Sequence, residues 1–111
     1  MSIRVYPSII TKQLTDLKIA DTVAFLDDLG SSGHKTAPIT SGLFRMGAGE
    51  ALPYNYEFSE YKLLLEGEMT VTDDKGETYE LKPGDMVFFP SGSRVKFSSR
   101  SSGLAFYVAQ R

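Results

Sequence analysis

Between Tyr61 and Ser98, compact turn sequences cut the chain three times, at Asp73-Asp74-Lys75-Gly76, Lys82-Pro83-Gly84-Asp85 and Pro90-Ser91-Gly92-Ser93. Proline presets φ at one turn position and glycine permits φ > 0 at another, so these tetrapeptides reverse the chain at low cost. The pieces between them are too short for stable helices and carry β-branched and aromatic residues, so they read as strands. Tyr61 to Thr72 (YKLLLEGEMTVT) is expected as one arm of a hairpin and Glu77 to Leu81 as its return. Met86 to Phe89, Arg94 to Ser98 and Leu104 to Ala109 follow as further strands, with serine-rich 98–102 as a loop. Upstream, Ile39 to Met46 reads as a strand ended by Gly47 and Gly49, and Thr22 to Leu29 (TVAFLDDL) fits a strand or one helical turn and is taken as a strand. Short strands at this spacing predict an all-β sandwich or barrel.

A length of 111 residues predicts a single domain, 1–111, with enough chain to bury a core. The formal charge of -2 is too small to point to nucleic acid or an anionic membrane, which leaves a small molecule or a second copy of the chain as the expected partner. The absence of cysteine excludes disulfides, thiolate zinc sites and a cysteine nucleophile. MSIRVYPSIITKQL has no apolar core of signal-peptide length and no stretch approaches a membrane span, so a cytoplasmic protein is expected.

One set of fixed residues is more specific than the strand pattern. Glu60 and Gly67 are separated by six residues, and Gly84, Pro90 and Gly92 repeat the order glycine, five residues, proline, one residue, glycine. In this respect the segment from Tyr54 to Ser99 resembles the cupins, whose two motifs carry that skeleton together with metal-binding histidines. The resemblance implies a cupin-type double-stranded β-helix, or jelly-roll barrel. The histidine positions fall on Tyr54, Tyr56 and Val95, while the glutamate is kept as Glu60. EYKLLLEG (60–67) and GDMVFFPSGSRVKF (84–97) look most like the C-terminal cupin domain of the EutQ family of ethanolamine utilisation, which also lacks the metal histidines. That family is associated with bacterial microcompartments, and an acetate kinase activity has been attributed to it. Gly47-Ala48-Gly49 is too short for a phosphate-binding loop, so the kinase activity is not expected to carry over. Nor is a docking function located in the N-terminal region of longer relatives.

The substitutions carry a chemical consequence. Imidazole is the usual ligand for a transition metal in such a barrel, and the single histidine, His34, lies in the loop-like stretch Ser31-Ser32-Gly33-His34-Lys35. Phenols have an unperturbed pKa of about 10 and must lose a proton to bind a divalent cation tightly, and Val95 has no donor at all. No metal and no cofactor is therefore expected. An oxygen-only site at Glu60 is the form a metal site would take.

With period-2 alternation, Glu60, Lys62 and Leu64 share one strand face, and Tyr54 and Tyr56 share one face of the preceding segment. Glu60 and Lys62 then form an inward ion pair, readable either as catalytic or as structural. The tyrosines read as core or dimer packing, or as proton donors. His34 reads as a solvated loop residue, Lys35 and Arg45 as anion holders or solvated cations, and Asp73, Asp74 and Glu77 as a hairpin tip.

Three functions fit these residues. The first is a metal-independent cupin binding or transforming a small polar or carboxylated metabolite as a lyase, dehydratase or isomerase. In it Glu60 carries protons, Tyr54 and Tyr56 donate, and Lys62 stabilises negative charge. The second is a non-catalytic EutQ-like binding or scaffold protein, and the third a metalloenzyme with oxygen ligands at Glu60. Exposed strand edges add the expectation of a homodimer, with the apolar segment Ile3 to Ile10 exchanged between copies.

Overall fold

The computed structural model describes residues 2–111; Met1, which the expected domain 1–111 includes, lies outside them. The described residues form nine strands and one 3-10 turn, Ile9–Thr11. The strands are β1 (Ala24–Ser31), β2 (Thr40–Gly47), β3 (Leu52–Asn55), β4 (Glu60–Gly67), β5 (Met69–Asp73), β6 (Thr78–Leu81), β7 (Met86–Phe89), β8 (Arg94–Ser98) and β9 (Ser102–Ala109). They form a five-stranded sheet in the order β1-β2-β9-β4-β7 and a four-stranded sheet in the order β3-β8-β5-β6. Every strand pair is antiparallel. This is the expected all-β jelly-roll barrel. Phe44, Met46, Leu64, Met69, Val71, Phe97 and Tyr107 fill the space between the sheets, each large side chain contributing about 1.5–3 kcal/mol of burial.

The run Tyr61 to Thr72 is two strands, not one. Gly67 has φ 73°, and a Cβ there would stand 1.9 Å from the Ser102 carbonyl oxygen, so only glycine allows the chain to leave β4 in one sheet and enter β5 in the other. The alternation of that run is broken inside β4, where Leu63 and Leu65 are half-buried and the register with β9 shifts between Leu64 and Glu66. The strand expected at 22–29 is displaced to Ala24–Ser31 and carries a register irregularity between Asp28 and Gly30. Strand β3 has no counterpart among the expected strands, and it holds Pro53 at a ladder position. The position is tolerated because β3 is an edge strand, paired on one side only, with β8. The serine-rich loop is shortened to 99–101, where the Glu68 carboxylate accepts hydrogen bonds from Ser99 Oγ, Arg100 N and Ser101 N. These bonds hold the Glu68 carboxyl below its usual range, Ser99 contributing most. Ile3 to Ile10 forms no strand, and Ile3 and Val5 lie exposed.

Register fixes what faces the barrel interior. Across the five-stranded sheet, Asp28, Gly42, Tyr107, Lys62 and Val87 are successive partners in one row, and Ser31, Thr40, Ala109, Glu60 and Phe89 in a neighbouring one. Each row places a small residue, Gly42 or Ala109, beside a large or charged one.

Candidate functional site

Lys62 and Glu60 project from β4 into the barrel as the alternation requires, and each side chain is only 4% exposed. Lys62 Nζ donates to Glu60 Oε2 at 2.7 Å, and the Tyr56 hydroxyl donates to the same oxygen at 2.5 Å. Among the described residues no hydrogen bond is donated to Glu60 Oε1. Among the described residues no enclosed side-chain oxygen or nitrogen lacks a partner, so Oε1 opens onto the cavity that Glu60 lines. The Lys62 ammonium lies 4.8 Å from the Tyr107 ring centroid, 5.0 Å from Phe44 and 5.2 Å from Phe97. Ring faces attract a cation, which offsets part of the cost of taking it out of water. Burial still pushes the Lys62 pKa down, with the Glu60 carboxylate opposing the shift.

The two tyrosines have different environments. Tyr56 is 3% exposed, with its ring stacked on Phe89 at 4.7 Å, while Tyr54 is 39% exposed and meets Tyr56 edge-on at 4.7 Å. Burial, then the nearby Glu60 carboxylate, pushes the Tyr56 pKa up, and burial raises that of Tyr54 as well. Tyr56 is thus a firm donor to Glu60 and a core residue at once. Tyr54 makes no hydrogen bond within the described residues, leaving its hydroxyl available at the cavity wall. Val95 is buried opposite Tyr54 in the β3–β8 ladder and supplies only apolar surface.

A second carboxylate was not singled out by sequence. Asp28 receives the Tyr107 hydroxyl at 2.5 Å and both Arg111 guanidinium nitrogens, at 2.8 and 2.9 Å. Hydrogen bonding from Arg111 holds the Asp28 carboxyl below its usual range. Gly42 makes this possible, because a Cβ there would stand 2.3 Å from the Tyr107 hydroxyl and 2.2 Å from the Asp27 carbonyl. Arg111 also covers the Phe58 ring, 4.9 Å from its centroid, and lines the cavity. The available signal was the Asp27-Asp28 pair inside an apolar strand, where one of two adjacent residues must point inward.

The cavity between these groups has a volume of about 330 Å³. Its walls are mainly Leu26, Phe44, Leu52, Tyr54, Tyr56 and Phe97, and its polar groups are Glu60, Lys62, Arg111 and the tyrosine hydroxyls. Each lining cation already has a carboxylate partner, Lys62 in Glu60 and Arg111 in Asp28. The donor set does not fit a metal centre. Tyr56 keeps its proton on Glu60, Val95 has no donor, and the Lys62 ammonium beside Glu60 repels a second cation.

The remaining sequence candidates lie elsewhere. His34 stands in an exposed loop where Nδ1 accepts from the Ala37 amide at 2.9 Å, and Lys35 is exposed beside it. Arg45 pairs with Glu66 at 3.6 Å and donates to Ser102 Oγ at 2.8 Å. Asp73 accepts from the Lys75 and Glu77 amides and closes the hairpin tip.

The fold and sequence match known proteins. The EutQ-like cupin domain matches residues 34–103. A protein named acetate kinase EutQ from Escherichia coli K12 is 39% identical over 57 residues, 51% of this chain, and the match spans 24% of that relative's length. The crystal structure of a putative ethanolamine utilisation protein Q from Salmonella typhimurium LT2 is 30% identical, with a TM-score of 0.70 over 79% of this chain and 69% of that one. The Clostridium difficile EutQ structure superposes with a TM-score of 0.79 at 18% identity, covering 93% of this chain and 77% of its own. With its glycine, proline and glutamate skeleton in register and tyrosine and valine at the histidine positions, the chain belongs to the EutQ-like cupin domain family.

Proposed function

We propose that this cupin works without a metal and binds a small neutral polar molecule in the inner cavity, where Glu60 exchanges a proton with it. The observation that carries this reading is the division of labour at one carboxylate. Oε2 is anchored by Lys62 and Tyr56, and Oε1 opens onto an apolar cavity. A carboxylate fixed in this way accepts a hydrogen bond from a hydroxyl or removes a proton beside a carbonyl. Tyr54 is the available donor for an oxygen that gains charge, and the Lys62 ammonium stabilises that charge at short range. Lyases, dehydratases and isomerases share this proton transfer.

The polar branch of the expected ligand class is favoured over the carboxylated one. A ligand carboxylate would enter a pocket whose cations are already matched by Asp28 and Glu60, and would be desolvated without a new partner. The same pairing disfavours a nucleotide phosphate, so the acetate kinase activity stays with the relative that bears that name.

Exchange of α-protons of cyclohexanone in D2O, followed by NMR, tests the reading. The protein is expected to accelerate exchange, and Glu60→Gln to reduce the acceleration by about a hundredfold, in the range of general base catalysis. Equal exchange rates with and without Glu60 would overturn proton transfer. Saturable binding with no exchange would favour the non-catalytic, EutQ-like reading, for which the full hydrogen bonding of the buried groups is the supporting observation.

The proposal places the protein in the cytoplasm as a single-domain homodimer. Among the described residues no helix is long and apolar enough to cross a membrane. Support for the dimer comes from the outer face of the five-stranded sheet, where Tyr61, Phe88 and Met86 form an exposed apolar group and Met86 is 66% exposed. Light scattering is expected to give twice 12.3 kDa, and a monomer mass at micromolar concentration contradicts it.

A further inference from the structure

The proton-transfer reading uses Lys62 only as a charge, although its side chain is an amine lining the cavity. We propose that Lys62 forms a reversible imine with small neutral aldehydes or ketones that enter the inner cavity, with Glu60 as the group that shuttles the proton. The inference rests on the reading that this cavity takes a neutral ligand at Glu60, and adds a covalent step to it.

Three features of the geometry converge. Nζ and the Glu60 carboxylate are 2.7 Å apart, so proton transfer between them needs no rearrangement. The Lys62 side chain lines the cavity, and Phe44, Phe97 and Tyr107 around its amine leave it only 4% exposed, which disfavours a hydrated ammonium. A lysine taken so far out of water is also costly to the fold, and well-packed apolar residues often replace such pairs without loss. A chemical use for the amine accounts for that cost. The lowered Lys62 pKa agrees with this use.

The step balances in atoms and charge. Glu60 takes one proton from the Lys62 ammonium, and the freed lone pair on Nζ forms a C–N bond to the carbonyl carbon as the C=O π bond opens onto oxygen. A nitrogen proton moves to that oxygen, giving a neutral carbinolamine. The protonated Glu60 then gives its proton to the hydroxyl, which leaves as water, and nitrogen donates its lone pair to form C=N. Ammonium plus carbonyl has become iminium plus water, with nothing oxidised or reduced. One cation replaces another beside the Glu60 carboxylate, so the charge of the cavity is kept.

Butanal tests this directly. One equivalent is added to the wild-type protein at pH 7 with sodium cyanoborohydride, which reduces an imine to a stable secondary amine, and the label is located by peptide mass mapping. Exposed Lys12, Lys18, Lys35, Lys75, Lys82 and Lys96 serve as internal references. Lys62 is expected to be labelled about tenfold faster than their mean, the advantage of a desolvated amine beside a base. Excess butan-1-ol should suppress labelling at Lys62 alone. Labelling of Lys62 no faster than of the references overturns the imine. If butan-1-ol nevertheless shifts the NMR signals of Tyr54 and Tyr56, the cavity reading stands without it; if the alcohol leaves those signals unmoved as well, both fall.

Discussion

Glu60 with Lys62 and Asp28 with Arg111 are built from the same parts. In each a carboxylate pairs with one cation, at 2.7 Å inside and 2.8 Å outside, and accepts a tyrosine hydroxyl at 2.5 Å. They differ in burial. The side chains of Glu60 and Lys62 are 4% exposed, those of Asp28 and Arg111 46% and 35%. Water screens the outer pair and lowers both its desolvation cost and its energetic value, so its work is to hold Arg111 in the cavity lining. The inner pair is buried, costly to break and costly to keep, and its open oxygen is the acceptor it offers to a ligand.

Breaking the inner pair should give the largest effect. Glu60→Leu strands the buried Lys62 and is expected to cost about 3–5 kcal/mol in urea unfolding. Adding Lys62→Met should recover that loss and leave a protein as stable as the wild type or about 1–4 kcal/mol more stable. If the double variant is as unstable as the single one, the pair is a structural asset and the contrast with the outer pair is lost. Next in size is Gly42→Ala, which pushes a methyl into the Tyr107 hydroxyl and the Asp27 carbonyl. It should cost about 1–3 kcal/mol in thermal unfolding through overpacking.

The outer pair should respond more weakly. Asp28→Asn keeps an acceptor for Tyr107 and removes only a screened charge, so a loss of about 1 kcal/mol or less is expected at neutral pH. Its pH dependence has a definite sign. The folded carboxyl titrates below the ordinary value of 3.8, so its contribution is present above that value and disappears as pH falls through the folded pKa. Asp28→Asn should therefore flatten the acid limb of the stability profile, leaving the part due to Glu68, whose carboxyl is also held down. A wild-type slope in the variant would show that Arg111 does not act through Asp28. Smallest of all, Arg45→Ala loses a 3.6 Å surface pair and should change stability by under about 0.5 kcal/mol.

The contrast also marks what could be read in advance. Glu60 and Lys62 were legible because period-2 alternation on β4 holds through the pair and the cupin skeleton locates Glu60. The sheet change at Gly67 was not, since a run of apolar and β-branched residues reads alike in either sheet and only the approach of Ser102 requires glycine. The outer pair was hidden for a related reason. Asp28, Tyr107 and Arg111 are distant in sequence and meet through the register of β1, β2 and β9, which no local pattern encodes. Tyr54 and Tyr56 do meet edge-on, but Tyr54 lies on the edge strand β3 and Tyr56 just beyond its end, and no strand was expected there to foretell their unequal burial.

The central claim is that the inner cavity takes a neutral ligand at Glu60 with no metal. NMR titration of chelator-treated protein with butan-1-ol tests it most directly. The account predicts saturable shifts of Tyr54, Tyr56 and Phe97 signals in the presence of the chelator, with affinity about tenfold weaker in Glu60→Gln, the scale of one hydrogen bond to a charged acceptor. Shifts that appear only after manganese, iron or zinc is supplied would contradict it.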